Sequence, residues 1–238
     1  MPHELFIFNE IGPSWAGMIS AELFAAALRG IPSDEDVLVR INSPGGEVFE
    51  GLAIHELIRD RGNVDVKVDG LAGSIASVIM LAGRTVEIAP AGMVVIHKPS
   101  TFAAGDAPFF RKVADDLDSV ENVALNAYAK ATELSTDKLS EMLAVETWMS
   151  AEEALELGFV DRIAGRGDDD DEHTMKIELG NVVKFKSVPP LIAAKLGSSN
   201  GSSRLSSVRN KPTVDMLRQR GKATRAKASL LDGRYPLE

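Results

Sequence analysis

The chain has 238 residues, 45% of them hydrophobic, no cysteine and a formal net charge of −9. That length fits one large domain, or one domain with an extension. The absence of thiols excludes disulfides, zinc ribbons and cysteine nucleophiles, which leaves Ser, Thr, Lys or a carboxylate for any covalent chemistry.

The charge is unevenly spread. Residues 175–238 carry 13 Lys/Arg against 4 Asp/Glu, leaving 13 against 31 in 1–174. Such a split fits two regions with different tasks, a tail that meets an acidic partner, or a plain solvated tail. No segment approaches the roughly 18 uninterrupted apolar residues of a membrane span. The opening MPHELFIFNEIG lacks the basic, apolar and small-residue succession of a secretory signal, so the expected address is cytoplasmic.

In chain order, ELFIFNEI reads as a first strand. Residues 14–28 place Ile19, Leu23, Ala26 and Ala27 at helical spacing. DVLVRIN (36–42) is a β-branched strand, followed by a turn at SPGG and a helix near 48–60 carrying Leu52, His55, Ile58 and Arg59. VDVKVD (64–69) is the next strand, 70–73 a glycine turn, and 74–82 a buried helix. TVEIA and MVVIH are short strands, and a long helix spans 108–132 with Phe109, Val113, Leu117, Val120, Ala124 and Tyr128 along it. Strands alternating with helices predict an α/β fold with right-handed crossovers and mostly parallel pairing.

That pattern closes near Ala164. Residues 165–174, with Gly165, Gly167 and the acidic run 168–172, read as a linker. KIELGNVVKFKSV (176–188) has the composition of a strand or hairpin, but most of 175–238 is a basic, Gly/Ser-rich extension with too few apolar residues for a core. The expected division is therefore a domain over 1–164, a linker over 165–174 and a largely disordered extension over 175–238.

Three segments have the composition for chemistry. INSPGGEVFEG (41–51) ends a strand on a glycine pair, where backbone approaches a ligand closely or simply turns. Its spacing is neither that of a phosphate loop nor G-x-G-x-x-G. VDGLAGSIASVIMLAG (68–83) sets Ser74 between a glycine-rich turn and an apolar helix. A nucleophile elbow uses the same device, exposing the hydroxyl and the following N–H, here that of Ile75, with the helix dipole behind it. The alternative is that Ser74 caps the helix through its hydroxyl; Ser77, one turn further on, reads as a small packing residue. In MVVIHKP (93–99), His97 closes an apolar strand, as a catalytic base or as a structural histidine. His3, His55 and His173 fit catalysis less well. His55-Glu56-Leu57-Ile58-Arg59 has Arg where a zinc peptidase has its second histidine, and residues 168–173 could bind a cation loosely, although a flexible acidic run rarely forms a defined site.

Taken together, these segments resemble the proteolytic subunit of the Clp protease over roughly residues 5–164, and in particular its phage-type relatives. SPGG at 43–46 with Gly51 is similar to the family's glycine motif, GLAGSIASVIMLAG to its nucleophile segment, MVVIHKP to its histidine strand and ETWMSAEEALELGFVD (146–161) to its closing segment. Four motifs in order are far more specific than one. The resemblance implies a crotonase-like α/β fold of repeated ββα units with a protruding handle helix at 108–132. It also implies a serine endopeptidase with Ser74 as nucleophile, His97 as base and the N–H groups of Gly46 and Ile75 as oxyanion hole. Glu146 stands at the place of the family's third, usually aspartic, triad member; its extra methylene changes the reach. Asp161 is the alternative acid, although its match is to the family's non-catalytic terminal Asp. The nucleophile segment departs from the commoner A-A-S-M form in Ala72-Gly73-Ser74-Ile75, a change of little consequence where the working group at 75 is a backbone N–H.

The resemblance further implies polypeptide substrates and a homo-oligomeric ring, often heptameric and stacked in pairs through the handle. No cofactor or metal is implied. Gly221-Lys222-Ala223-Thr224 is not a Walker motif, so any AAA+ ATPase is a separate partner. The long basic tail is foreign to cellular Clp subunits and suggests a prohead or head-maturation protease acting on capsid or scaffold proteins in a host cytoplasm or prohead. Little aromatic interleaving supports nucleic-acid binding by that tail. The rivals are a crotonase-type acyl-CoA enzyme, a Ser-Lys peptidase using Lys67 or Lys98, and a non-catalytic capsid or scaffold component on the same fold.

Overall fold

A computed structural model describes residues 1–165. The linker beyond Gly165, the acidic run, the strand or hairpin expected at 176–188 and the basic extension all lie outside the described residues.

The elements are β1 (His3–Ile7), α1 (Ala21–Arg29), β2 (Val37–Ser43), α2 (Val48–Arg61), β3 (Val64–Gly73), α3 (Ile75–Met80), β4 (Val86–Ile88), β5 (Met93–Ile96), α4 (Ala107–Thr132), α5 (Thr136–Ala144), β6 (Thr147–Ser150), α6 (Ala151–Glu156) and β7 (Arg162–Ile163). Parallel pairing runs β1-β2-β3-β4-β7, and β5 pairs with β3 in parallel and with β6 antiparallel. This is the mixed α/β architecture that the resemblance implies.

Alternation builds the central strands. Val37, Val39 and Ile41 of β2, with Val64, Val66 and Val68 of β3, point to one face and are buried against Phe24, Leu28, Ile54 and Ile58 from α1 and α2. The residues between them carry charge across the other face. Arg40 grips Asp69 through two hydrogen bonds of 2.7 and 2.8 Å, and Glu87 takes Lys67 at 3.0 Å and Arg162 at 2.7 Å.

Two departures from the sequence expectation bear on the site. First, the glycine stretch 70–73 is strand, not turn. The register slips between Ile41 and Ser43, so that Ser43 pairs with Ala72 rather than Gly70, and Asn42 Oδ1 fills the gap by accepting from Leu71 N–H (3.2 Å). A slip of this kind bends a strand. The first half of β3 pairs with β4 and its last three residues pair with β5, which opens the sheet where β3 ends.

Second, the helix expected over 14–28 is a short 3₁₀ turn, Ser14–Ala16, closed by Gly17 at φ 75°, and a separate helix that starts after Ser20. Ser20 caps that helix by accepting from Leu23 N–H. Its buried pair is Phe24 and Leu28; Leu23, Ala26 and Ala27 face outward.

The long helix is as expected within a residue. Asp106 caps it by accepting from Phe109 N–H (3.0 Å), with Pro108 in the first turn. Its N-terminal half projects: Phe109 and Phe110 are 43% and 48% exposed. Its C-terminal half is anchored by Glu121, Leu125, Tyr128 and Thr132, with the Tyr128 ring 5.6 Å from that of Phe159. A capping box at Ser150 and Glu153 starts α6.

Candidate active site

Ser74 stands alone between β3 and α3 with φ 53° and ψ −126°, a combination that L-residues rarely adopt and that costs about 1–3 kcal/mol. Its hydroxyl makes no cap bond to α3, so the helix-cap alternative does not describe this residue. Backbone contacts hold the strained turn. Ser74 N–H donates to Val95 O (2.8 Å), and the Ser74 carbonyl accepts from Ser77 N–H (3.0 Å) and from the Ser77 hydroxyl (2.5 Å).

Gly45 is what lets the neighbouring loop approach. At φ 92°, a Cβ there would lie 2.5 Å from Gly73 O, 2.7 Å from Ser74 Cβ and 3.0 Å from Ile75 N. Gly46 packs the other way, where a Cβ would meet Ile11 O. Gly45 C=O accepts from Ile11 N–H (2.8 Å). The peptide is trans, so the Gly46 N–H in the same plane points away from Ile11. Ile75 opens α3 and its N–H has no intrahelical acceptor. With only six residues in α3, these local N–H groups matter more than any helix dipole.

His97 follows β5 directly and is half-buried. Its Nδ1 lies 2.7 Å from the Lys98 carbonyl. A carbonyl only accepts, so Nδ1 carries the proton and Nε2 is the basic nitrogen of the neutral ring. Two ties steady this corner: Lys98 N–H donates to Leu143 O (3.2 Å) and Lys98 Nζ is 2.9 Å from the buried Glu121 carboxylate.

Ser74 and His97 line one cleft, whose other walls are apolar: Val48, Leu52, Val78 and Pro99, with Val120, Val123 and Ala124 from α4. Tyr128 also reaches it. Burial pushes that phenol up to about 12, against the opposing pull of its Ser77 hydrogen bond, so it stays a neutral O–H at any working pH.

Glu146 is outside the residues lining the cleft. It is buried (8% exposed), sits at φ 53°, and its Oε1 accepts from Trp148 Nε1 at 3.4 Å. The β5–β6 register ends on the pair Ile96 and Thr147, so Glu146 directly precedes β6 and His97 directly follows β5. Among the described residues, three non-glycines have positive φ, namely Ser74, Glu133 and Glu146, and two of them belong to the expected site. Asp161 has a structural duty: its Oδ2 accepts from Val86 N–H (2.7 Å) and its N–H donates to Val86 O (2.8 Å). Lys67 and Lys98, the two proposed lysine bases, are each committed to a carboxylate. His55 lies in α2 beside Glu56 (3.1 Å), and burial lowers its pKa.

Sequence reasoning missed two participants. Ser77, read as packing, is a buried hydroxyl bonded to the Ser74 carbonyl and to Tyr128 Oη (2.8 Å). The signal was a polar residue inside the otherwise apolar helix IASVIM. Gly45, rather than Gly46, makes the close contact with the serine turn.

Comparison with known proteins bears on the family of the domain as a whole. A model of the Clp protease family matches residues 2–167. An ATP-dependent Clp protease proteolytic subunit of Deinococcus radiodurans is 29% identical over 162 residues, covering 67% of this chain and 78% of its own. One from Bacteroides fragilis is 29% identical over 166 residues, covering 68% and 79%. With its serine turn, histidine strand and glycine loop lying inside the matched span, the chain belongs to the Clp protease family.

Proposed function

We propose that the chain is a serine endopeptidase that cleaves polypeptides through an acyl-enzyme on Ser74. The observation that carries this reading is a strained, uncapped serine at a strand-to-helix turn, lining one cleft with a histidine whose basic nitrogen is Nε2. In the mechanism, His97 Nε2 takes the Ser74 hydroxyl proton as Oγ attacks the peptide carbonyl. The N–H groups of Gly46 and Ile75 hold the resulting oxyanion, each worth about 2.7–4 kcal/mol by analogy with a measured oxyanion donor. The imidazolium returns the proton to the leaving amine. Water then gives a proton to His97 as it attacks the acyl carbonyl; the carbon–Oγ bond breaks, His97 returns the proton to Ser74 Oγ, and the carboxyl product leaves. Glu146, directly before the β6 strand that pairs with β5, is proposed as the acid that steadies the imidazolium charge.

The relatives' names couple proteolysis to ATP. With no nucleotide motif of its own, this chain would rely on a separate ATPase or on substrates that need no unfolding. The net positive charge of 175–238 supports the second option: a tail that tethers the enzyme to an assembling capsid or scaffold, as in head maturation. A homo-oligomeric ring, with α4 as the contact between rings, completes the proposal.

Hydrolysis of a set of fluorogenic peptides tests it. Ser74→Ala and His97→Ala should each lower kcat by at least about 10³-fold while thermal melts stay within a few degrees of wild type. Activity surviving in folded Ser74→Ala would place the nucleophile on another residue, and a folded wild type that cleaves no peptide would return the chain to the crotonase-type or scaffold readings.

A further inference from the structure

We infer that Ser77 and Tyr128 are positioning residues for the oxyanion-binding peptide, a reading that rests on Ser74 being the nucleophile. Ser77 is 0% and Tyr128 2% exposed. The two hydroxyls are 2.8 Å apart, and Ser77 Oγ is 2.5 Å from the Ser74 carbonyl oxygen. The direction of each bond follows from the inventory of protons. The carbonyl has none, so Ser77 O–H donates to it; that uses the only proton on Ser77 Oγ, so Tyr128 O–H donates to Ser77. Ser77 N–H donates to the same carbonyl at 3.0 Å.

The Ser74 carbonyl and the Ile75 N–H are two ends of one planar trans peptide. Two donors on the oxygen therefore set the direction in which the N–H points. They also polarise the amide, which makes Ile75 N–H a stronger donor to a developing negative charge. Serines in helices often bond to a carbonyl one turn back. This one differs in that the carbonyl belongs to the strained residue at φ 53°, and in that a second buried hydroxyl, delivered from α4, fixes which way the serine proton points. The chain Tyr128 O–H to Ser77 O–H to Ser74 C=O thus links the long helix to the peptide plane that receives the oxyanion.

The test compares Ser77→Ala, Tyr128→Phe and the double variant in steady-state peptide hydrolysis. Inhibition by a peptide boronate, whose tetrahedral adduct occupies the oxyanion hole, is measured alongside, with circular dichroism melts as a check of folding. Ser77→Ala should lose about 10- to 100-fold in kcat, less than the full loss of a donor, with KM changed by less than about threefold. Tyr128→Phe should lose about 3- to 10-fold in kcat, the scale of one neutral hydrogen bond. The double variant should be no worse than Ser77→Ala, since the phenol acts through the serine. Boronate affinity should fall in step with kcat/KM. If Ser77→Ala does not fold, the near-isosteric Tyr128→Phe carries the test.

Folded variants with wild-type kcat and boronate affinity, or with losses confined to KM, would overturn the inference alone. So would a double variant that loses the product of the two single effects. A wild-type protein that neither cleaves peptides nor binds the boronate would overturn the peptidase reading, and this inference with it.

Discussion

Ser74 holds its backbone at φ 53° because its neighbours leave it no alternative. Val95 O takes its N–H, Ser77 takes its carbonyl, and Gly45 lies so close that a Cβ there would be 2.7 Å from the Ser74 Cβ. Strain of about 1–3 kcal/mol persists only where surroundings over-determine it, so the loop that supplies the contact is as necessary as the serine. Gly45→Ala adds a Cβ 2.5 Å from Gly73 O at a φ of 92°. It should destabilise the fold by about 1–3 kcal/mol and lower peptide hydrolysis at least about 100-fold, read by chemical denaturation and kcat/KM. Near-normal activity in that variant would mean that the loop does not hold the turn. At this scale much was legible. The expectation for Ser74, His97 and Glu146 came from motifs; the structure gathers Ser74 and His97 in one cleft and leaves Glu146 outside its lining. The role of Ser77 was not legible, because its partner Tyr128 is 51 residues away and no local pattern announces a contact across that separation.

Strand β3 serves two neighbours in succession, and the handover from β4 to β5 brings Ser74 beside Val95 and hence near His97. The alternating valines made the first half of β3 readable. The second half, rich in glycine and alanine, looked like a turn because its strand character comes from pairing with β5 and from the register slip opposite Asn42. The 14–28 segment misled in the opposite direction: Gly17 and the Ser20 cap divide what hydrophobic spacing joined. The edge of β3 is held by charge. The Arg84 guanidinium, followed by the Thr85 hydroxyl, holds the Asp65 carboxyl below its ordinary 3.8 despite the opposing cost of burial. A carboxylate depressed in the folded state contributes stability above its unfolded pKa and loses that contribution as pH falls through the folded value. Asp65→Asn should therefore melt below wild type at pH 7, and the gap should close as the pH drops through 3.8 and below. A gap that stays constant from pH 7 to pH 3 would show that the carboxylate charge is not what matters.

At the scale of the whole molecule, a charge-laced sheet face and a helix projecting two aromatic rings are left at the surface of the described residues. Phe109 and Phe110 stand edge to face, with centroids 6.1 Å apart, on the exposed half of α4. Under the proposal that α4 joins rings, Phe110→Glu should shift sedimentation velocity profiles to smaller species while the far-ultraviolet spectrum is unchanged. An unaltered distribution would remove α4 from the assembly. The α/β class was legible from alternating strands and helices; ring number and the task of the basic residues beyond 175 depend on partners that one chain does not encode. The central claim, that Ser74 is an activated nucleophile, is tested most directly by treating the purified protein with a fluorophosphonate probe and locating the adduct by mass spectrometry. The account predicts a single adduct on Ser74, absent in Ser74→Ala and slowed in His97→Ala. A folded protein that takes no label, or takes it on another serine, would contradict it.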